Sequence, residues 1–409
     1  MLKVQKPTPL LFAQGRDHPK IIPLRLRRQM RMAAGFLITP WLLSLYFCRS
    51  EILLQPTVIL GLLPGLAAAV RIQGQLFRYL GTNHRRGEDG HLFATLGAAN
   101  WITLLRAGAI IGLGGILPLA LQRGPSLSNG WHWAAGMVYL GISLVDLFDG
   151  FVARKQDRET ELGQRLDIES DAAGLLVASL VAVALGRLPA IYLLAGMAYY
   201  AYMAGIWLRQ KRTLPVIPLR SRPYARIIAG FQMGLVGMAL LPIFNPAFTR
   251  VAALIFMTPL LLGFLRDWWV VSCRMQTDDH QQSTLDLQLR FLLIKSLPVV
   301  LRLVILAGGI AALIGYGVYR ADPVWQVAHS VCCLLAVSGF LGRSAAFLLT
   351  LVFGSNFSPF GVSPISMLIF GTAVTLMLTG TGAVSVWAPE ETVLYRRRKH
   401  GSIPSEEAP

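Results

Sequence analysis

Residues 146–171 read DLFDGFVARKQDRETELGQRLDIESD and lie between two long apolar runs. The whole chain has 21 acidic residues, and eight of them fall within these 26 positions. They are Asp146, Asp149, Asp157, Glu159, Glu161, Asp167, Glu169 and Asp171. Because carboxylates beside apolar segments are costly to bury without a compensating positive charge, the segment indicates a bound cation.

The spacing of four aspartates separates them from the other acids. Asp146 and Asp149 lie three residues apart at the end of one apolar run and so share one helix face. Asp167 and Asp171 lie four residues apart at the start of the next run and share a face too. If the two faces meet, four carboxylates surround one point, and ligands that are all oxygen suit hard divalent cations such as Mg²⁺ or Mn²⁺. The remaining acids are interpreted as a solvated face: Asp157, Glu159, Glu161 and Glu169.

The composition is typical of a membrane protein that crosses the bilayer many times. Of the 409 residues, 54% are hydrophobic and 14% are charged, and the mean hydropathy is +0.54. The formal net charge is +17, but the basic residues lie in short stretches between apolar runs. This pattern is typical of cytoplasmic loops that face anionic lipid headgroups. We therefore expect the lipid bilayer as a partner and no nucleic acid.

The order of the apolar runs predicts an all-α, polytopic helical membrane protein with about twelve spans. The link at 209–226 carries six basic residues and is cytoplasmic by the positive-inside rule. Counting spans back from it places residues 149–167 on the same side. The predicted divisions are a basic cytoplasmic segment with two apolar spans and an interfacial helix (1–99), a six-span domain (100–272), a linker (273–289), a four-helix membrane module (290–390) and a basic cytoplasmic tail (391–409).

The acidic segment also fits a longer pattern, D-x2-D-G-x2-A-R-x8-G-x3-D-x3-D. At every fixed position it resembles the signature of the CDP-alcohol phosphotransferase (CDP-alcohol phosphatidyltransferase) family. Upstream, Asn100-Trp-Ile-Thr103-Leu-Leu-Arg106 is similar to the N-x-x-T-x-x-R opening of that family's first span. The resemblance covers about residues 90–272 and implies a six-span bundle. The fixed positions are Asp146, Asp149, Gly150, Ala153, Arg154, Gly163, Asp167 and Asp171.

The resemblance implies an integral membrane enzyme of phospholipid biosynthesis. Such an enzyme transfers a phosphatidyl, that is a substituted phosphoryl, group from a CDP-alcohol to a hydroxyl acceptor and releases CMP. In bacteria the donor is usually CDP-diacylglycerol, so the resemblance places the chain in the bacterial inner membrane with its active site facing the cytoplasm. The acceptor is a small alcohol, in some members phosphorylated. The sequence leaves open whether two copies pair as a homodimer.

The resemblance also implies roles for the aspartates. Asp146, Asp149 and Asp167 are the principal ligands of two metal ions, Mg²⁺ or Mn²⁺. Asp171 completes the metal site and acts as the general base that takes the proton from the acceptor hydroxyl. Two metal ions held by carboxylates neutralise a pyrophosphate and stabilise the leaving oxygen, which is the chemistry that CMP release needs.

The nucleotide and phosphate groups have their own candidates. Gly150 and Gly163 lack a Cβ and permit a close approach of the nucleotide to the backbone. Arg154 is placed to donate a bidentate pair of hydrogen bonds to a phosphate. The candidates for the nucleotide end of the site are Asn100, Thr103 and Arg106. For Asn100 and Arg106 the alternative is a role as simple interfacial anchors.

The sequence does not determine the identity of the acceptor alcohol. In family members whose acceptor carries a phosphate, basic residues near the fifth span hold that phosphate, which implicates Arg222 and Arg226. Positive-inside charge alone explains these two residues equally well. Members that use glycerol 3-phosphate tend toward G-K-x-K-T-x-x-Q and LDPxADK, whereas this chain has A-R-I-I-A-G-F-Q and LDIESDAAG. Inositol phosphate or another phosphorylated polyol is therefore the alternative acceptor.

Two further hypotheses come from other classes of protein. A cation-binding membrane transporter predicts ionisable residues at bilayer depth across several spans, but here the acids cluster at one cytoplasmic edge. If the protein were a scaffold without activity, a motif aspartate would be missing, and none is.

Residues 290–390 lie outside the signature and faintly resemble a DoxX-type four-helix membrane module, which implies no chemistry.

Overall fold

The structure is a computed structural model that describes residues 22–52, 56–85, 91–156, 158–217, 223–272, 296–315, 322–382 and 385–389. Within these ranges helices carry the fold, and the few β-type pairings are isolated bridges. The prediction of an all-α protein is confirmed. The first nine helices are α1 (Leu24–Ile52), α2 (Pro56–Arg78), α3 (Gly97–Gly114), α4 (Leu117–Arg123), α5 (Asn129–Lys155), α6 (Glu161–Ala184), α7 (Leu193–Lys211), α8 (Pro223–Leu240) and α9 (Pro246–Val271). The last four are α10 (Leu297–Gly315), α11 (Pro323–Ser338), α12 (Gly342–Gly354) and α13 (Pro364–Thr379).

Five helical segments of the described residues are long and apolar enough to cross a membrane. This confirms a polytopic membrane protein. The full count of twelve spans stays a prediction, because several of the remaining helices are shorter or carry acidic residues. The five segments are Val58–Arg78, Gly97–Ser126, Ala190–Lys211, Pro246–Val271 and Leu297–Gly315.

One compact unit comprises Met1–Leu241 and Leu260–Gln276. In its centre α3 packs against α1, α2, α5 and α6. The packing of α2 on its neighbours depends on glycines. A Cβ on Gly114 of α3 would lie 3.2 Å from the Cα of Gly65 of α2. A Cβ on Gly61 would lie 2.8 Å from the Cα of Pro118. The helix backbones therefore approach closely, as small residues permit within membranes.

A buried arginine closes the end of this unit opposite the acidic segment. Arg187, in the turn after α6, donates from Nε to the carbonyl oxygen of Ala239 and from Nη2 to that of Leu241, both at 2.7 Å. These carbonyls at the C-terminal end of α8 have no partner within the helix. Burial lowers the pKa of Arg187 to about 10, so the guanidinium stays charged at neutral pH.

The second unit comprises Pro242–Pro259 and Thr277–Pro409. The rings of Phe248 and Phe370 pack with their centroids 4.9 Å apart, and Asn356 donates from Nδ2 to the carbonyl oxygen of Pro242 at 2.8 Å. The first half of α9 thus packs with α13, and the loop before α9 contacts the loop after α12. The domain boundary that the sequence predicts after residue 272 stays a prediction. The predicted linker at 273–289 lies outside the described residues.

The interfacial helix expected at the end of segment 1–99 is wrong. Residues 91–96 are not helical, and α3 begins at Gly97. Gly97 has a φ of +83°, in the left-handed region that favours glycine, so the chain turns at this residue before the helix starts.

Candidate active site

The acidic segment folds as the end of α5, a short connection and the start of α6. The first turn of α6 is fixed locally: Thr160 is the N-cap residue, and its side-chain oxygen accepts a hydrogen bond from the backbone N–H of Gly163 at 3.0 Å. Glu161 follows in the first turn, where a negative charge interacts favourably with the helix dipole. Asp167 and Asp171 therefore lie in the second and third turns of α6.

Three of the four predicted metal ligands meet. Asp146 of α5 and Asp167 and Asp171 of α6 each offer a carboxylate oxygen, and these oxygens lie within 4.8 Å of one another. The side chains are 29%, 40% and 35% exposed, respectively, so the cluster is open to water and ions. An all-oxygen set at this spacing fits a hard divalent cation. The prediction that the two helix faces meet is thus confirmed for these residues.

A guanidinium group lies among the three carboxylates. The Arg106 side chain is 1% exposed, and its Nη1 donates to Asp146 at 2.6 Å and to Asp167 at 2.9 Å. Its Nη2 pairs with Asp171. The positive charge of α3 therefore compensates the acids of α5 and α6. From the sequence, Arg106 was a candidate only for the nucleotide end of the site, and the structure instead brings it to the cluster of three carboxylates.

Asn100 and Thr103 precede Arg106 on α3 and are both 4% exposed. Asn100 donates from Nδ2 to the carbonyl oxygen of Leu96 at 2.7 Å, and Thr103 donates to that of Ala99 at 3.2 Å. The N-x-x-T-x-x-R spacing thus orders one buried face of α3, which is the sequence signal that connects Arg106 to the site.

A steric constraint explains why residue 163 is a glycine. A Cβ at this position would lie 2.5 Å from Oδ1 of Asn100, so the glycine allows the Asn100 side chain of α3 to pack against the first turn of α6. The nucleotide-approach role predicted for Gly163 stays a prediction. Its observed neighbour is Asn100.

The other predicted site residues have side chains outside the part of the chain that the structure describes. The backbone of Asp149, Gly150 and Arg154 continues α5 beyond Asp146. The two candidates for acceptor binding are Arg222, which lies outside the described residues, and Arg226, whose backbone belongs to α8. Their roles stay predictions.

One of the acids interpreted as solvated is buried. The Glu169 side chain is 1% exposed and pairs with Arg71 of α2, with 2.5 Å between Oε1 and Nε. The solvated interpretation of Glu169 is therefore wrong. Glu161 is 39% exposed and pairs with Arg165 one turn further on, and Glu159 is exposed, as expected for a solvated face. Asp157 lies outside the described residues.

The fold defines a polytopic membrane protein, and its carboxylate cluster has the oxygen ligands that a divalent cation requires. Residues 96–265 match the family model described as CDP-alcohol phosphatidyltransferase. No curated protein and no solved structure matches the chain. The match contains every residue of the signature and all three helices that form the cluster. Residues 96–265 are thus a domain of the CDP-alcohol phosphatidyltransferase family, and the protein is a transferase of substituted phosphate groups.

Proposed function

We propose that the protein transfers a phosphatidyl group from CDP-diacylglycerol to the hydroxyl group of a small acceptor and releases CMP. The observation that carries the proposal is the cluster of Asp146, Asp167 and Asp171 around Arg106 inside the matched domain. The pyrophosphate of a CDP-alcohol is strongly anionic, so a transferase must neutralise it while the nucleotide leaves. A carboxylate cluster that binds divalent cations performs this task.

The residues that would hold Mg²⁺ or Mn²⁺ are Asp146, Asp167 and Asp171, together with Asp149 one turn beyond Asp146. Four carboxylates are sufficient for two ions when some of them bridge. Bound at this point, the ions supply charge neutralisation of the pyrophosphate and of the departing CMP oxygen.

The chain's own residues perform the remaining steps. Asp171 accepts the proton of the acceptor hydroxyl, and the hydroxyl oxygen forms a bond to the phosphorus that carries the diacylglycerol. The bond from that phosphorus to the bridging oxygen breaks, and CMP leaves with the electron pair. Arg154 binds a phosphate of the donor. Arg106 orients the carboxylates, because one rigid guanidinium holds oxygens from both α5 and α6.

The site faces the cytoplasm in this proposal. Lys211 and Arg212, at the end of α7, are exposed and begin the basic link that the positive-inside rule places there. The membrane is the bacterial inner membrane. Apolar side chains on the outside of the same helix, such as Met197 and Trp207, are 53% and 60% exposed, as expected for a surface that contacts lipid.

For the acceptor, we propose glycerol 3-phosphate or, as the alternative, inositol phosphate or another phosphorylated polyol. Arg222 and Arg226 would bind the acceptor phosphate as charged hydrogen-bond donors. The departures A-R-I-I-A-G-F-Q and LDIESDAAG from the pattern of glycerol 3-phosphate enzymes support the alternative.

The test is an acceptor panel with the purified full chain in lipid–detergent micelles. Radiolabelled CDP-diacylglycerol, Mg²⁺ and each acceptor are incubated, and CMP and the lipid product are identified. We expect CMP release with one phosphorylated acceptor, loss of activity in EDTA, and recovery with Mg²⁺ or Mn²⁺. Activity that is unaffected by chelation would remove the metal proposal, and Mg²⁺-dependent transfer from a smaller CDP-alcohol instead would correct the donor.

A further inference from the structure

A buried ion pair joins α2 to the catalytic helix α6. Arg71 donates from Nε to Oε1 of Glu169 at 2.5 Å and from Nη2 to Oε2 at 3.4 Å. The Arg71 side chain is 44% exposed, whereas that of Glu169 is 1% exposed. The matched family domain begins at residue 96, so Arg71 belongs to a part of the chain that precedes it.

Glu169 has partners on two helices. Gln75, one turn after Arg71 on α2, donates from Nε2 to Oε2 at 3.4 Å, and the hydroxyl of Tyr199 on α7 reaches the same oxygen at 3.5 Å. The Arg71 guanidinium also lies 5.3 Å from the ring centroid of Tyr200. A buried carboxylate is destabilising unless its oxygens find such donors. The set therefore holds Glu169 in one place between α2 and α7.

The position of Glu169 on α6 connects this contact to the active site. Glu169 lies two residues after Asp167 and two before Asp171, which is a rotation of roughly 200° about the helix axis. The two aspartates differ by only roughly 40° and share the opposite face. A contact that holds one face of α6 thus determines the rotation of the other face, on which both carboxylates lie.

Packing alone already attaches α2 to the domain, since its glycines let it approach α3 and α4 closely. A buried ion pair adds little net stability compared with apolar packing, but it admits few geometries. We propose that the Arg71–Glu169 pair is a positioning device with which α2 sets the rotation of α6 and hence the separation of Asp167 and Asp171 from Asp146. The inference rests on the proposed function, because it takes the three aspartates as cation ligands.

The test measures Mn²⁺ binding by electron paramagnetic resonance with the full chain in detergent micelles. Glu169→Gln keeps the shape of the side chain and removes its charge. We expect Mn²⁺ to bind about tenfold more weakly, as when a supporting residue of a metal site is lost. The matched control is Glu161→Gln, which changes an exposed acid on the same helix and should bind Mn²⁺ like the unmodified protein.

Arg71 provides a second pair of variants on the other helix. Arg71→Gln leaves the buried carboxylate without its main partner and should weaken Mn²⁺ binding to a similar extent. Arg71→Lys keeps the charge and should restore most of the affinity. If Glu169→Gln fails to fold, the Arg71 variants decide the question, because the Arg71 side chain is half-exposed and its replacement disturbs packing less.

The outcomes separate the inference from the proposed function. Folded variants of both residues that bind Mn²⁺ like the unmodified protein would overturn the positioning role, even if their unfolding temperatures fall. Weaker binding in both, with recovery in Arg71→Lys, supports it. If the unmodified protein binds Mn²⁺ but releases no CMP, the proposed function fails while the inference stands. If it binds no Mn²⁺, both fail.

Discussion

The buried arginine at the centre of the first unit and those of the second unit have different kinds of partner. In the first unit, Arg106 of α3 pairs with three carboxylates on two other helices. In the second unit, Arg302 of α10 donates from Nε to the carbonyl oxygen of Val337 at 2.7 Å, in the last turn of α11. Arg343 of α12 donates to that of Met377 at 2.8 Å, in the last turn of α13.

The difference follows from what surrounds each arginine. Helices α10 to α13 contain no aspartate or glutamate, so a cation among them is attracted to the carbonyls at helix C-termini, which lack partners and carry the negative end of the helix dipole. Helices α5 and α6 bring several acids together instead. A buried arginine in this protein therefore indicates a chemical site only where carboxylates meet it, and elsewhere it closes a helix end.

The largest effect is expected at Asp171. The variant Asp171→Asn has no basic oxygen to take the acceptor proton, and we expect CMP release to slow by roughly 10³-fold. Binding of the CDP-lipid should largely survive, because the other carboxylates remain. CMP release and donor binding are measured on the same preparation, and Glu161→Gln is the control on the same helix. A normal rate of CMP release from Asp171→Asn would remove Asp171 as the base.

Replacement of Arg106 and of Arg302 tests whether an arginine among carboxylates differs from one that binds backbone carbonyls. Arg106→Gln removes the counter-charge of three carboxylates that are about a third exposed, and we expect a loss of about 2 kcal/mol in the free energy of unfolding without divalent cations. Mg²⁺ should recover much of this loss, since it supplies the missing positive charge at the same carboxylates.

Arg302→Gln is the matched variant. It removes hydrogen bonds to backbone carbonyls, which also costs about 2 kcal/mol, but Mg²⁺ should not recover it. Denaturant unfolding in detergent, with and without Mg²⁺, measures both variants. An equal response of the two to Mg²⁺ would remove the distinction between a chemical and a structural arginine.

The smallest effect is expected at Gly163. In Gly163→Ala the new Cβ meets Oδ1 of Asn100 at 2.5 Å, and displacement of this side chain should lower the free energy of unfolding by about 1 kcal/mol. Gly141→Ala on α5 is the control: nothing lies within 4 Å of its Cβ position, so it should gain up to about 1 kcal/mol from helix propensity. Asn100→Ala should remove the larger part of this loss and leave only the approach of the new Cβ to Oγ1 of Thr160, at 3.0 Å. An undiminished loss in the double variant would mean that Asn100 is not the cause.

Much of the fold was predictable because it depends on local patterns. The length of the apolar runs predicts helices in the right order. The spacing within each aspartate pair places both members on one face, which the structure confirms for Asp167 and Asp171. The connection before α3 was mispredicted, because the apolar character of HLFATLGAAN resembles that of a surface helix. The positive φ of Gly97 instead ends the loop about two and a half turns before Arg106.

The partners against which α9 packs could not be predicted from the sequence either. Its 26 residues form one apolar run, yet the first half belongs to the second unit, where Phe248 packs against Phe370. Apolar side chains contact any apolar neighbour of suitable shape, so hydropathy does not say which helices they join. The boundary that the sequence predicts at the polar linker 273–289 lies outside the described residues and stays a prediction.

By itself the sequence determined that the chain is a helical membrane protein, that Asp146, Asp167 and Asp171 belong together, and which transferase family the domain represents. Only the tertiary structure decided which charges compensate them. Arg106 pairs with residues 61 and 65 positions away, and Arg71 lies 98 positions from Glu169. Periodicity reports the face of one helix, whereas a charge partner depends on the rotation and packing of another helix, which no local pattern contains.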